Sequence, residues 1–393
     1  MKILHLADLH LGKTVVGLPM LDSQKYVLAQ AINLCEKENI KNIIISGDVY
    51  DRSIPPEGAV TLLNDFLSEA ILDKKIHVFM ISGNHDSNER LSCFNGILEK
   101  QGLFIDGTIN KDLTMNKHVI EDEGLKINIY SLPYLYPSEV RALSNDETIK
   151  DFEKAVVKVV SSNEIDENEI NILNAHYFVT GDSELIRSDS ESRTSVGTIE
   201  QISYKVFDKF DYVALGHLHF SQHVGRETIR YAGSPLKYSI DEIDHRKIFN
   251  IINIKSKKDI SVEKIDVVPL YPFICKEGTV DELTQNSDQK GLSIVYFKLT
   301  DDKHVLNAAM RLKTKYPHYV GLTYVNIKDD IDENETKLAK ESGFDELTTE
   351  EQFEKFFKFI TEKDLDEVQK AAVKEVADEL EQEDLTINKS SKN

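Results

Sequence analysis

The sequence predicts an α/β fold, and three observations carry that expectation. Short apolar runs at residues 2–6, 42–45 and 77–81 are separated by stretches whose apolar residues recur at helical spacing: Val27, Ala31, Leu34 and Cys35, then Val60, Leu63, Phe66 and Leu67. Strand, helix, strand, helix is the order of a sheet joined by crossover helices. Each run also ends in a polar, turn-forming cluster, at 7–10, 46–48 and 82–86. Ligands collect beyond the carboxyl ends of such strands, so three stretches remote in sequence are aimed at one rim.

Further strands are expected at 126–130, 170–175 and 211–215, with a helix at 146–160. The strands again run into polar residues, His176 and then Gly216-His217-Leu218-His219. Short strands and turns follow from 220 to 270. Residues 274–330 read as a small α+β unit, with apolar runs at 292–297 and 322–327 around a helical 305–315. An Asp/Glu-rich linker at 329–335 leads to two amphipathic helices within 348–383. Thr349 with Gln352 has the pattern of a capping box, and Phe353, Phe356, Phe357 and Ile360 form an apolar stripe. Leu365, Val368, Ala372, Val376 and Leu380 repeat the stripe. Such stripes either pack within the chain or dock in a partner's groove. The expected domains are 1–273, 274–330 and 331–393.

A chain of 393 residues and 44.7 kDa allows two or three domains. Its 40% apolar and 29% charged residues, with a mean hydropathy of −0.34, are a soluble globular balance. No apolar run reaches the ~18–20 residues of a bilayer span, and the chain opens directly into a strand without a signal-peptide layout. A cytoplasmic location is expected. The formal net charge of −21 is opposite to the basic footprint of a simple nucleic-acid binder, although residues 331–393 hold 19 Asp and Glu against 9 Lys and Arg. Cys35, Cys93 and Cys275 are too few for a disulfide scaffold or a cysteine zinc site, and are expected as small buried apolar residues.

Seven side chains able to ligate a metal lie just past the strand ends: Asp8, His10, Asp48, Asn84, His176, His217 and His219. Any one of them alone is more often structural or solvated; chance placement of all seven is a poor account. The doublets Asp8/His10 and His217/His219 suit an extended loop, where residues i and i+2 face the same way. Asp, His and Asn ligands without cysteine favour harder divalent ions such as Mn²⁺, with Zn²⁺ or Fe²⁺ admissible. Seven ligands exceed the need of one ion but suit two sharing a bridging carboxylate, for which Asp48 is the candidate. Two ions about 3.5–4 Å apart can activate a hydroxide and clamp a phosphate ester for in-line displacement. His85 is then the candidate catalytic acid or base, or a stabiliser of the transition state. Asp86 either orients its loop or caps a helix from Asn88.

Asp8-Leu9-His10, Gly47-Asp48-Val49-Tyr50-Asp51, Gly83-Asn84-His85-Asp86, His176 and Gly216-His217-Leu218-His219 resemble, in order and spacing, the five motifs of the calcineurin-like metallophosphoesterases. More narrowly, residues 6–13 and the stretch 231–239 (YAGSPLKYS) resemble the bacterial SbcD nucleases. The resemblance implies a β-sandwich flanked by helices, a small α+β cap and a C-terminal helical hairpin. It implies one metal on Asp8, His10, Asp48 and His219, the other on Asp48, Asn84, His176 and His217, and His85 as the catalytic histidine. It further implies Mn²⁺-dependent exonuclease and hairpin endonuclease action on DNA, and a homodimer within a 2:2 assembly. The partner implied is an SbcC-type ATPase, whose coiled coil would be engaged by residues 348–383. Some relatives have a second histidine after the Gly-Asp motif; Asp51-Arg52 stands there in this chain, so no role attached to that histidine carries over.

Three rival readings compete with this one. Residues 7–14 also fit a relaxed phosphate loop, with Asp48 as its second acid. An Asp inside such a cradle would face anionic oxygens, and five of the motif residues would go unexplained. No nucleotide is therefore expected on this chain. A nucleotidase, cyclic-nucleotide phosphodiesterase or protein phosphatase would share the metal ligands, and a non-catalytic scaffold would have no need to keep them all. Lys13, Arg52, Arg90, Arg187 and Arg193 lie near the motif loops, yet the isolated chain is expected to bind DNA weakly. His5, His77, His118, His223, His245, His304 and His318 are expected to be structural.

Overall fold

Alternation within the apolar runs decides which face each side chain takes. Leu4 and Leu6 join Ile43, Ile45, Val78 and Met80 in one buried cluster, while Ile3, Ile44 and Phe79 join another. The strands are therefore buried on both faces. This is seen in a computed structural model, which describes residues 1–327 except 123, 182, 192–199, 286, 287 and 289, and beyond them 353, 354, 357, 365, 369, 370, 373 and 374.

The first sheet runs in the order Asp259–Asp266, Ile248–Ser256, Lys2–Leu6, Asn42–Ser46, His77–Ile81, Leu103–Asp106. Its last four strands are parallel, and the first two form an antiparallel hairpin beside them. The second sheet runs His223–Val224, Arg226–Tyr231, Tyr212–Gly216, Ile170–His176, Leu125–Leu132, Asn116–Asp122, with its four central strands parallel. Ile3, Ile44, Phe79 and Ile252 of the first sheet meet Ile127, Ile129, Ile172 and Tyr212 of the second. The outer face of the first sheet is covered by the helices Leu21–Lys37 and Glu57–Ser68, through Val27, Ala31, Leu63 and Phe66. The helix Phe152–Ser161 covers the second through Val156 and Val159. The expected sandwich flanked by helices is present.

Toward the carboxyl ends of the parallel strands the layer between the sheets turns polar. His5 lies 3.2 Å from the Tyr212 hydroxyl and 3.1 Å from Ser46 Oγ. Burial drops its pKa to about 3, so it is a neutral structural bridge between the sheets. Asn174 donates to the carbonyls of Ile45 and Phe79, both at 3.4 Å.

Three local expectations shift. The helix expected at 146–160 starts only at Phe152, because Asp151 caps it by accepting from the Lys154 N–H at 2.8 Å. Upstream, Asp146 closes a turn onto Thr148 instead. A separate helix, Pro137–Ser144, has no counterpart among the expected elements and ends at Asn145 in the left-handed region. Of the cysteines only Cys35 is buried; Cys93 and Cys275 are exposed. Cys275 lies on an edge strand, Phe273–Gly278.

That strand, with Ile294–Leu299 and Tyr319–Tyr324, makes a three-stranded parallel sheet covered by Val280–Gln285 and Ala308–Lys315 around Val295, Phe297 and Leu312. Phe273, Ile294 and Val320 also join the outer core of the first sheet. Residues 1–324 form one compact unit and 325–393 a second. In the second, the Phe353 and Phe357 rings stack at 6.5 Å, and Glu354 lies 3.6 Å from Lys370. The linker 329–335, Thr349, Gln352, Phe356, Ile360, Val368, Ala372, Val376 and Leu380 lie outside the described residues. Among the described residues no helix is long and apolar enough to cross a membrane.

Phe79 is buried between the sheets and stacks on Phe104 at 4.7 Å. Phe79→Ala is expected to lower stability by about 3–5 kcal/mol, read as a fall in the urea midpoint with unchanged slope.

Candidate metal centre

The turns beyond three of the parallel strands, Lys2–Leu6, Asn42–Ser46 and Tyr212–Gly216, carry their polar residues back over the rim by left-handed backbone. Asp8, His10, Asp48 and His217 have φ of 52°, 43°, 47° and 102°. Asp and His tolerate this region better than bulkier residues, at a cost of about 1–3 kcal/mol each that the surroundings must offset. The doublets are thus not on extended loops as the i, i+2 spacing suggested. Backbone bonds hold the turns together, Asp8 N–H to Gly47 O at 3.1 Å and His10 N–H to Asp48 O at 2.9 Å. Asp86 adds a pin, accepting from the N–H groups of Val49, Tyr50 and Gly83 at 2.9–3.1 Å. It orients loops and does not cap the following helix.

Three glycines let these turns meet. A Cβ on Gly83 would stand 2.1 Å from Asp48 Oδ1, one on Gly47 2.4 Å from His176 Nδ1, and one on Gly216 1.9 Å from the Ser46 carbonyl oxygen. No side chain fits at any of them.

The seven expected ligands converge, in two groups. His10 Nε2 and His219 Nε2 face each other at 3.1 Å, with Asp8 beside them. Asn84 Oδ1 lies 3.0 Å from His176 Nε2 and 3.3 Å from His217 Nδ1. Asp48 Oδ2 stands between the groups, 3.6 Å from His10 Nε2 and 3.4 Å from His176 Nε2. Ligand bonds of about 2.0–2.2 Å set neighbouring ligand atoms roughly 3 Å apart, which is the spacing seen. Asp8 Oδ2 and His10 Nδ1 are buried with no hydrogen-bond partner. These residues fit divalent cations.

Electrostatics agrees. Burial lowers His10 and His219 and brings His217 to about 3, so all three imidazoles are neutral and their lone pairs are available. Burial pushes Asp8 up. Burial works the same way on Asp48, but the His176 imidazolium overrides it and holds that carboxyl well below the usual range. His176 is correspondingly raised to about 9, against its own burial, by the Asp48 charge. A cation taking both residues must displace that proton, so its affinity rises with pH.

His85 packs edge-on against His10 at 4.8 Å, with Nδ1 2.8 Å from the Asp51 carbonyl and Nε2 4.0 Å from Asp48 Oδ2. A proton on Nδ1 leaves Nε2 aimed at the cluster. His176 is fixed likewise, its Nδ1 2.8 Å from Ser46 O. The phosphate-loop alternative fails here: after Lys13 the chain makes a small hairpin, Thr14–Val15 with Leu18–Pro19, and no helix starts before Leu21. Lys13 is paired with Asp51 at 2.8 Å and Arg187 stacks on Phe178, whereas Arg52 is exposed; Arg193 lies outside the described residues. Sequence reasoning missed Glu191, Glu242 and Lys247, which surround His219. Their only signal is a charge pair just ahead of the apolar run 248–252.

A model of the calcineurin-like phosphoesterase family matches residues 1–221. The SbcD component of the SbcCD nuclease from Staphylococcus epidermidis is 32% identical over 378 residues, covering 95% of this chain and 97% of that protein. Among solved structures, a phosphopantetheinyl hydrolase from Mycobacterium tuberculosis aligns at 14% identity and TM-score 0.33, covering 60% of this chain and 90% of that one. A dimetal phosphatase from Danio rerio aligns at 10% and 0.39, covering 68% and 96%. The family model spans more than half of the chain and the staphylococcal nuclease component nearly all of it, so the chain belongs to the calcineurin-like phosphoesterases and is, among them, a metal-dependent phosphodiesterase of the SbcD nuclease type.

Proposed function

We propose that this chain hydrolyses DNA phosphodiester bonds with two divalent cations, Mn²⁺ by preference, as an exonuclease on double strands and an endonuclease on single strands and hairpins. The observation that carries the reading is the position of Asp48 Oδ2, within 3.6 Å of His10 Nε2 and 3.4 Å of His176 Nε2, from which one oxygen reaches both groups. In this reading Asp8, His10, Asp48 and His219 hold one cation, and Asp48, Asn84, His176 and His217 the other. Bound there, the pair supplies Lewis-acid charge for the phosphate oxygens and acidifies the attacking water. His85 presents Nε2 to the same space and can give a proton to the leaving oxygen or neutralise charge on the phosphorane-like transition state.

The partners proposed are DNA, an SbcC-type ATPase and a second copy of this chain, in a 2:2 assembly acting in the processing of DNA ends. The printed name of the staphylococcal relative supports the complex. The stacked Phe353 and Phe357 belong to the amphipathic stripe assigned to the ATPase. Ile54 and Val60 are exposed at a groove of about 330 Å³ that Leu63, Leu67 and Leu91 line, an apolar face that supports burial by a second copy. A nucleotidase or cyclic-nucleotide phosphodiesterase is the competing reading.

Four measurements test this. Asp48→Asn is expected to lose both cations, read by elemental analysis after dialysis; retained stoichiometric metal would remove the bridge. His85→Gln is expected to keep metal and fold while slowing cleavage of a DNA hairpin by about 10²-fold or more. A wild-type protein that cleaves nitrophenyl esters or nucleotides but leaves the hairpin intact would instead favour the competing reading. Phe353→Asp with Phe357→Asp is expected to abolish co-purification with the SbcC-type ATPase while Mn²⁺-dependent cleavage of single strands persists.

A further inference from the structure

His219 is held from behind by a buried polar group that none of the motifs contains. Its Nδ1 lies 2.6 Å from Ser190 Oγ and 3.2 Å from Glu242 Oε1. The same Glu242 oxygen accepts from Ser188, Ser190 and Ser239 at 2.8, 2.5 and 3.0 Å. Its other oxygen takes the Lys247 ammonium at 2.5 Å. Lys247 donates further to the His219 carbonyl at 2.9 Å and to Ser234 Oγ at 2.8 Å, and the His219 N–H donates to Glu191 Oε1 at 2.8 Å. Ring, N–H and carbonyl of one residue are each fixed.

The carboxylate decides which ring nitrogen carries the hydrogen. An ionised Glu242 has no proton to give, so its Oε1, 3.2 Å from His219 Nδ1, is an acceptor toward the ring whichever way the Ser188 and Ser190 hydroxyls turn. Nδ1 of His219 must carry the hydrogen, and the Nε2 lone pair faces His10 and Asp8. Burial opposes the Glu242 charge, but Lys247 and His219 hold its carboxyl far below the usual range. A buried ion pair of this kind is rarely needed for stability, since apolar residues of equal volume often serve as well. Its placement on a candidate ligand points to a role at the site. The turn Ile240–Asp244 that carries Glu242 is itself anchored, through Ile240 and Ile243, in the core that contains Phe273, Ile294 and Val320.

We propose that Glu242, with Lys247 as its counter-charge, is the positioning residue that sets the tautomer and ring orientation of His219, and with them the affinity of the Asp8–His10–Asp48–His219 site for its divalent cation. This rests on the metal-binding reading above. The test uses the full chain as wild type, Glu242→Gln and Glu242→Gln/Lys247→Met, the last removing the cation that the first leaves unpaired. Mn²⁺ binding is followed by calorimetry, and the metal-free proteins are examined by ¹⁵N NMR of labelled histidine. One Mn²⁺ site is expected to weaken by about 10–100-fold. The His219 ring is expected to lose its single Nδ1–H signature, while Asn84→Ala, which weakens the other site, leaves that signature in place. A folded double variant with unchanged Mn²⁺ affinity and an unchanged His219 tautomer overturns the proposal. Wild-type protein that takes up no Mn²⁺ overturns the metal-binding reading itself, a result distinct from the first.

Discussion

The centre depends on how closely the two sheets approach at Ser46, Gly47 and Asp48. Ser46 sits in the layer between them: its carbonyl oxygen is 2.8 Å from His176 Nδ1, and its hydroxyl lies 3.1 Å from His5 and from the Ala214 carbonyl. One residue of the first sheet thus ties three positions at one end of the sandwich. Two residues further on, Asp48 reaches the point where the two imidazole groups meet. Had the sheets packed an ångström further apart, the same side chains would be present with no shared focus, and preorganised electrostatics would be lost.

Burial supplies the second half of the arrangement. Asp8, His10, Asp48, His176, His217 and His219 are all buried, and polar groups that leave water need partners. Some find them in the protein, as His219 does in Glu242 and Ser190. Others do not, as the unpartnered Asp8 Oδ2 shows. That deficit lies where the ligand atoms converge, which is where divalent charge would be repaid most strongly in a low-dielectric setting.

The rim was legible in the sequence because strand ends are marked by a change from β-branched apolar residues to Gly, Asp, Asn and His, and because parallel strands of one sandwich deliver such ends to one side. Ile43, Ile44 and Ile45 running into Ser46-Gly47-Asp48 is the clearest case. The conformation of the turns was not legible: spacing suggested extended doublets, and whether Asp8 or His217 takes a left-handed φ is decided by the neighbours it must bond. Glu242 and Lys247 escaped for a similar reason. Contacts to His219 are made across the fold by residues with no periodic or motif signal, and a Glu five residues from a Lys ordinarily reads as surface charge. The start of the helix at 152–161 was misplaced because Asp146 and Asp151 are equally good caps in isolation; only the Thr148 turn distinguishes them.

The three glycines at positions 47, 83 and 216 have a further consequence for how such a protein can change. Each leaves less than 2.5 Å between a would-be methyl group and a neighbouring atom across the seam. Drift of the reactive end away from the architecture that supports it is therefore blocked atom by atom, and alternative chemistries must be sought by altering what surrounds the opening, never its floor.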